Sequence, residues 1–237
     1  MMLSIVIPAY NEHDRIVDTL TQTRSYLNGQ GYTSEILVVS DGSTDDTRQV
    51  VEAFESTDRV KICFLEYHPN RGKGYAVKYG MTRAAGDVIL FMDADYAVPI
   101  SDVEKGLNLI LSGYDAAIGS RAVKGARVES HQNFFRELSA RIYTVIQTLY
   151  LGIRYPDTQC GFKLFTRASA RLLFGMQKLN SVIFDPEILW LARRNRMRVA
   201  QFPVAWRHVE NSRIQYDSLK KSLFVFQELF RIRGLHR

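Results

Sequence analysis

Cysteine is scarce in this chain, and long apolar runs are missing. Only Cys63 and Cys160 occur among 237 residues. Their separation matches no metal-ligand spacing, and two thiols make no disulfide scaffold, which leaves a reducing compartment such as the cytosol. No window approaches the run of about 18 uncharged apolar residues that a transmembrane helix needs, so none is expected. Met1–Pro8 has neither a basic n-region nor a small-residue cleavage site, which argues against a signal peptide. Repeats, low-complexity tracts and linkers are absent. His68, His131 and His236 stand apart, without ligand spacing.

What is present supports a full core: 46% of the residues are hydrophobic, and the length suits one domain over 1–237. The net charge of +6 is unevenly spread, because residues 188–237 hold eleven Lys/Arg against three Asp/Glu. A basic end suits an anionic partner: a membrane surface, a phosphorylated substrate or nucleic acid. It is equally compatible with a plain solvated face. No nucleic-acid recognition motif accompanies it, so no nucleic acid is expected.

Apolar runs alternate with amphipathic stretches up to residue 120. Leu3–Ile7, Ile36–Val39, Val60–Leu65, Val88–Met92 and Ala116–Ile118 read as strands. Asp14–Leu27, Thr44–Phe54, Tyr75–Ala84 and Asp102–Leu111 read as helices, the second with an N-cap among Ser43–Asp46. Alternation of this kind predicts an α/β fold with a mostly parallel sheet. Lys124–Gln132 reads as a polar loop. Beyond it, Phe134, Phe135, Leu138, Ile142, Val145, Ile146 and Leu149 share a helical face, with Arg136, Arg141 and Gln147 off it. A second amphipathic helix spans about Leu219–Ile232, flanked by Lys220, Lys221, Arg231 and Arg233. Both helices either cover the sheet or lie in a membrane interface.

The strongest chemical signal is Phe91-Met92-Asp93-Ala94-Asp95. A strand ending in Asp-x-Asp sets paired oxygen ligands at the carboxyl edge of a sheet, where divalent metals and their phosphates bind. Pro8-Ala9-Tyr10-Asn11-Glu12 follows the first strand and Ser40-Asp41-Gly42-Ser43-Thr44-Asp45 the second. A lone acid after a strand is usually a helix cap. Three such strand ends at one crevice are far more specific. Lys73, after a glycine and before a helix, lacks the P-loop spacing and reads as a phosphate contact or a solvated lysine. Cys160 has no neighbouring base and reads as a packed thiol.

These motifs resemble family 2 glycosyltransferases, which have the Rossmann-like GT-A fold. Asn70–Ala76, Gly119-Ser120-Arg121, Asp157–Phe165 and Phe184–Leu189 extend the likeness to the polyprenyl-phosphate branch, over nearly the whole chain. Eukaryotic members of the glucosyltransferase group in that branch carry an N-terminal membrane anchor; no such anchor is expected here, so attachment would have to be of another kind. The resemblance implies an inverting transferase that moves a hexose from a nucleotide diphosphate sugar to a polyprenyl phosphate of the dolichyl type. UDP-glucose is the first-choice donor and GDP-mannose the second. The protein would sit in the cytoplasm, peripherally attached to an anionic membrane surface. Residues 1–122 would form the nucleotide-sugar half and 123–237 the acceptor and membrane-facing half.

By the same resemblance Pro8, Tyr10, Glu12, Asp41 and Asp93 line the nucleotide pocket, with Asp41 on the base. Asp93 and Asp95 hold Mg²⁺ or Mn²⁺, which prefer carboxylate and phosphate oxygens. Arg121 meets phosphate, and Asp157 is the acid nearest the chemistry, with Asp185 as a possible second acid or a helix cap. A phosphate acceptor needs charge compensation more than a base. Lys73, Arg121, Arg136 and Lys163 are candidates for that, followed by Arg207, His208 and Arg213. A glycan acceptor and a non-catalytic nucleotide-binding membrane scaffold remain as alternatives. Oligomeric state is not legible.

Overall fold

The computed structural model describes residues 1–129, 134–209 and 219–237. The strands are β1 (Met2–Ala9), β2 (Thr33–Ser40), β3 (Val60–Glu66), β4 (Val88–Met92), β5 (Ala116–Ser120), β6 (Arg127–Glu129), β7 (Phe162–Thr166), β8 (Val199–Pro203) and β9 (Ala205–Arg207). The α-helices are α1 (His13–Asn28), α2 (Thr47–Glu52), α3 (Lys73–Met81), α4 (Val103–Leu111), α5 (Phe134–Leu151), α6 (Arg167–Met176), α7 (Phe184–Arg194) and α8 (Leu219–Leu235). Seven strands form one sheet in the order β3-β2-β1-β4-β7-β5-β8, and β6 pairs with β9 in a small second sheet.

β1 to β4 are mutually parallel, as are β5 and β8, while β7 runs antiparallel between β4 and β5. Most of the sheet carries side chains on two covered faces, so β1, β4 and β5 are continuous apolar runs rather than alternating ones. One face packs against Ile16, Leu20 and Leu27 of α1, Val51 of α2 and Val103 and Leu107 of α4. The other packs against Val77 of α3, Leu173 of α6, Ile188 of α7 and Leu229 and Ile232 of α8. The layers are thus helix, sheet, helix, as the alternation predicts.

The differences lie mostly after residue 120. The Lys124–Gln132 stretch includes a strand, β6, because Arg127 N and the pairing with β9 satisfy backbone groups that a free loop would leave to water. β7 and β8 carry no alternation signal and return to the same sheet as the first half. Helix α2 is shorter than expected, beginning after Asp46, and Asp45 Oδ1 accepts from Thr47 N at 3.1 Å.

α5 also departs from its expected orientation. Gln147 points inward, where its Oε1 accepts from Thr158 Oγ1 at 2.8 Å, while Ile142, Val145 and Leu149 of the apolar face are exposed, Leu149 by 80%. α8 packs beside it: Tyr150 Oη donates to Phe230 O at 2.9 Å, and the two rings meet edge to face. Leu223, Phe224 and Phe230 are exposed on α8 while Leu229 and Ile232 are buried. No helix among the described residues is long and apolar enough to cross a membrane.

The position of α3 matters most for the site below, and Gly80 sets it. A β-carbon there would collide with Val6 of β1 and lie 2.9 Å from Val39 Cγ2 of β2. Gly80→Ala is expected to lower stability by about 1–3 kcal/mol, the usual cost of overpacking. Denaturant unfolding measures this directly, and an unchanged midpoint would refute it.

Candidate active site

Asp93 is the first residue past β4. Its N–H donates to Gly161 O at 3.1 Å, continuing the β4–β7 ladder, and its carboxylate lies against the Gly161 backbone. Any β-carbon at 161 would collide with that carboxylate. Lys73 Nζ, from the first turn of α3, sits 2.7 Å from Asp93 Oδ1. Asp95 lies in the following turn, where its Oδ1 accepts from Ala97 N at 3.0 Å. Burial pushes the Asp95 carboxyl up, and the Asp93 charge adds to this. Burial pulls the Lys73 ammonium down, but Asp93, Asp185 and Asp95 outweigh it, so its pKa is raised. The pair and the lysine therefore share one electrostatic environment.

The turns after β1 and β2 interlock beside this pair. Asn11, in the left-handed region at φ 54°, accepts from Thr44 N through Oδ1 at 2.8 Å, and its own N–H donates to Ser43 Oγ at 3.0 Å. Glu12 N donates to Thr47 Oγ1 at 2.9 Å, and the Glu12 carboxylate pairs with Arg15 at 2.6 Å. Asp41 is buried and accepts from Tyr67 Oη at 2.7 Å, Arg71 N at 2.7 Å and Gly72 N at 2.8 Å. A carboxylate offers about four lone-pair sites. Three are used in tethering the loop that leads into Lys73. Tyr10 stands exposed at the mouth and Pro8 is half-buried.

On the other side of Asp93, the end of β5 presents Arg121. Its Nε and Nη2 donate to the two oxygens of Asp157, each at 2.8 Å, and its backbone N–H donates to Oδ2 at 2.9 Å. Burial pushes the Asp157 carboxyl up, yet the Arg121 hydrogen bonds outweigh this and hold it below its usual range. The Arg121 guanidinium lies 5.6 Å from the centre of the Trp206 ring, and Trp206 lines the recess that also contains Asp93, Ala97 and Gly161. Burial raises the Cys160 thiol to about 12, which suits a packed, unreactive cysteine.

Lys163 is a correction. Expected to face a phosphate, it is 1% exposed, with Nζ 2.6 Å from Asp185 Oδ1 and donating to Cys160 O at 2.5 Å. The cause is β7: it runs antiparallel beside β4, so Lys163 lies in register with Phe91 inside the sheet. Asp185 is buried with it, at the start of α7, and is neither a surface acid nor a side-chain cap. Arg207 lies on β9, its Nε donating to Tyr96 O at 3.3 Å and its guanidinium 5.5 Å from the Tyr96 ring centre. His208 follows it, its ring 6.1 Å from Trp206. The side chain of Arg136, and Arg213 entirely, lie outside the described residues.

Sequence reasoning missed Gly161 as the cradle of Asp93, Trp206 as the wall beside Arg121, and the role of Glu187 taken up below. Gly161 stood inside the Asp157–Phe165 motif, which was its only signal. Trp206 had none. The Asp93/Asp95 pair fits a hard divalent cation: two neighbouring carboxylates in a partly buried crevice, with Asp95 pushed toward its neutral form. No third acid, His or Cys joins them among the described residues, which leaves coordination positions for phosphate and water.

A glycosyl transferase family 2 model matches residues 4–174. A dolichyl-phosphate beta-glucosyltransferase of Trichomonas vaginalis is 37% identical, across 99% of this chain and 74% of its own length. The enzyme of that name from Saccharomyces cerevisiae is 37% identical across 100% and 77%, and that from Homo sapiens 35% across 90% and 69%. Among solved structures, glucosyl-3-phosphoglycerate synthase from Mycobacterium tuberculosis in complex with UDP aligns over 98% of this chain and 80% of its own, at TM-score 0.69 and 21% identity. A structure of the same synthase holds Mn²⁺ and UDP-Glc. At that identity the likeness speaks to the fold.

The Arg121–Asp157 pair has a pH signature. A carboxyl held below its unfolded value of ~3.9 adds stability above that value and loses it as pH falls through the folded pKa. The parent should therefore lose stability more steeply than Asp157→Asn between about pH 5 and pH 2. Unfolding free energies across that range test it; parallel curves would mean the pair contributes no such linkage.

Proposed function

The chain belongs to glycosyl transferase family 2, and from that membership we propose that it moves glucose from UDP-glucose to dolichyl phosphate, or a polyprenyl phosphate like it, with inversion at the anomeric carbon. The likeness to enzymes of that name along nearly the whole chain supports the reading. The observation that carries it is the charge layout at the carboxyl edge: a carboxylate pair flanked by Lys73 on one side and the Arg121 fork on the other.

A phosphate monoester has a second pKa near ~6, so at neutral pH the acceptor is already mostly a dianion. It needs little help from a base. The acids here suit that: Asp157 is held ionised by Arg121, and Asp185 is sealed against Lys163. What the reaction needs is alignment of two anions and compensation of their charge. Asp93 and Asp95 would hold Mg²⁺ or Mn²⁺, which when bound neutralises the departing diphosphate. Lys73, expected from the sequence among the acceptor-phosphate contacts, instead meets that departing diphosphate, because its Nζ lies 2.7 Å from Asp93 Oδ1. Arg121 spends two N–H donors on Asp157 and turns the rest of its guanidinium toward the acceptor phosphate. Asp157 is then the residue that aims Arg121. Asp41 accepts the ring N–H of uracil with its remaining lone pair, and Pro8, Tyr10 and Glu12 shape that pocket.

On this reading residues 1–122 serve mainly the nucleotide sugar, with Arg121 at their end reaching the acceptor, and 123–237 serve the acceptor, within one shared sheet. The second half also carries Ile142, Val145 and Leu149 of α5 and Leu223, Phe224 and Phe230 of α8, all exposed, with Arg231 and Arg233 nearby. Apolar side chains with a basic fringe suit insertion among lipid headgroups at the cytoplasmic face of an anionic membrane.

Incubation with radiolabelled UDP-glucose, Mg²⁺ or Mn²⁺ and polyprenyl phosphate should carry label into the organic phase. Asp93→Asn or Asp95→Asn should cut kcat by about 100-fold or more, and Asp157→Asn only in part. Label that enters a soluble glycan instead, with Asp157→Asn abolishing turnover, would assign a hydroxyl acceptor. Separately, anionic liposomes should float the protein. Changing Lys220, Lys221, Arg231 and Arg233 to Gln should weaken that capture; undiminished flotation would exclude the basic fringe as the attachment.

A further inference from the structure

Lys73 opens α3, and no side chain caps that helix. A backbone carbonyl does so instead. Asn180 O accepts from Gly74 N at 2.8 Å and from Tyr75 N at 3.4 Å. The approach is close enough that a β-carbon at Gly72 would lie 2.5 Å from Asn180 O, and one at Gly74 2.7 Å from Ser181 O. The first N–H groups of a helix need partners from outside it. The place where α3 starts, and so the aim of Lys73, therefore depends on where residues 177–181 are held.

That segment is held from several directions. Gln177 Nε2 donates to Gly74 O at 2.8 Å and to Leu179 O at 2.7 Å, and Lys78 Nζ donates to Gln177 O at 2.7 Å. Glu187, on α7, accepts from Lys178 N at 2.8 Å and Leu179 N at 2.9 Å. Glu187 is 0% exposed and takes no part in the reaction above. Its further partner comes from the end of the chain: His236 Nε2 lies 2.5 Å from Oε1, the imidazole buried beside Trp190. A second tie joins the same segment to α8, where Ser181 Oγ donates to Glu228 Oε2 at 2.7 Å. α8 is also the helix that exposes Leu223, Phe224 and Phe230.

We propose that Glu187 is a positioning residue for Lys73, acting through Lys178–Ser181, and that His236 and Glu228 make the seating of α8 part of the donor site. The proposal rests on the reading that Lys73 meets the donor diphosphate. A buried carboxylate with two backbone N–H donors and an imidazole N–H is strongly directional, and removal of any partner leaves a buried polar group to find another. The adjustment reaches the Asn180 carbonyl because Asn180 directly follows the tethered Lys178 and Leu179 amides and itself holds Gly74 N and Tyr75 N. A shift of the helix start then misplaces Lys73 relative to Asp93, while the sheet beneath stays as it was. In this way the helix that carries exposed apolar side chains is joined to the nucleotide pocket through a chain of hydrogen bonds.

The test uses the full chain and five variants: Glu187→Gln, Ser181→Ala, His236→Ala, His236→Gln and Lys73→Ala. Three quantities are read where unfolding curves show the protein folded: UDP affinity by calorimetry, kcat, and amide hydrogen exchange at Gly74 and Tyr75. Glu187→Gln and His236→Ala should speed exchange at both amides and weaken UDP binding or kcat by about tenfold or more, as misplacement of a positioned group does. His236→Gln keeps an N–H in a similar place and should stay within about twofold of the parent on the same measures. If Glu187→Gln lowers Tm but leaves exchange, UDP affinity and kcat at parental values, the proposal is overturned. Should Glu187→Gln not fold, Ser181→Ala and His236→Ala decide by the same criteria. Lys73→Ala separates the two layers: parental UDP affinity and kcat there refute the reading of Lys73, whereas the exchange data still judge Glu187.

Discussion

Two carboxylates at the end of β4 cannot share a partly buried crevice without cations nearby, and the site is arranged around that requirement. Lys73 answers Asp93 at 2.7 Å. A layer below, Lys163 answers Asp185 at 2.6 Å, and to the side Arg121 answers Asp157. Phe91 separates the first two pairs, its ring centre 5.5 Å from Lys73 Nζ and 5.8 Å from Lys163 Nζ. Each ammonium is thus favoured by a carboxylate and by the aromatic face. Burial first, and then the Asp93 charge, push the Asp95 carboxyl up, so the crevice disfavours a second ionised acid. A divalent cation held between the two carboxylates would favour their ionised forms against that burial.

The second constraint is close approach of backbone. Gly161 lets Asp93 lie on β7, and Gly72 and Gly74 let α3 begin against the Asn180 carbonyl. Asp41 ties the same loop from the opposite side through Arg71 and Gly72 N–H groups. The loop before Lys73 is therefore fixed by partners thirty or more residues away in the chain. A charged side chain placed so firmly loses little entropy when a phosphate arrives, which favours positioned electrostatics over proton transfer as the site's chief contribution.

α5 turns part of its expected apolar face away from the core. α5 buries Gln147 and exposes Ile142, Val145 and Leu149. Its inner stripe instead uses Tyr143, Ile146 and Tyr150 against the core and α8, as Tyr143 with Phe226 and Tyr150 with Phe230 illustrate. Six large apolar side chains on two adjoining helices make a surface that water alone does not favour. The proposed membrane contact gives that surface an occupant, and α8 joins it to the interior through Glu228.

Much of the fold is legible in the sequence alone. β1 to β5 stood out because parallel strands buried on both faces are unbroken apolar runs. The acids at three strand ends were legible as a site because ligands gather at the carboxyl edge of such sheets. These are local properties, carried by neighbouring residues along the chain. Tertiary structure decided what each charge faces. Lys163 reads like any lysine in a line of sequence, yet antiparallel insertion of β7 places it beside Phe91 and seals it against Asp185. Gln147 reads as the polar side of α5, yet Thr158 draws it inward. Glu187 and His236 lie 49 residues apart and meet at 2.5 Å. The energy of a charge or a donor is set by its partners and by its distance from water, and both are properties of the folded chain rather than of its order.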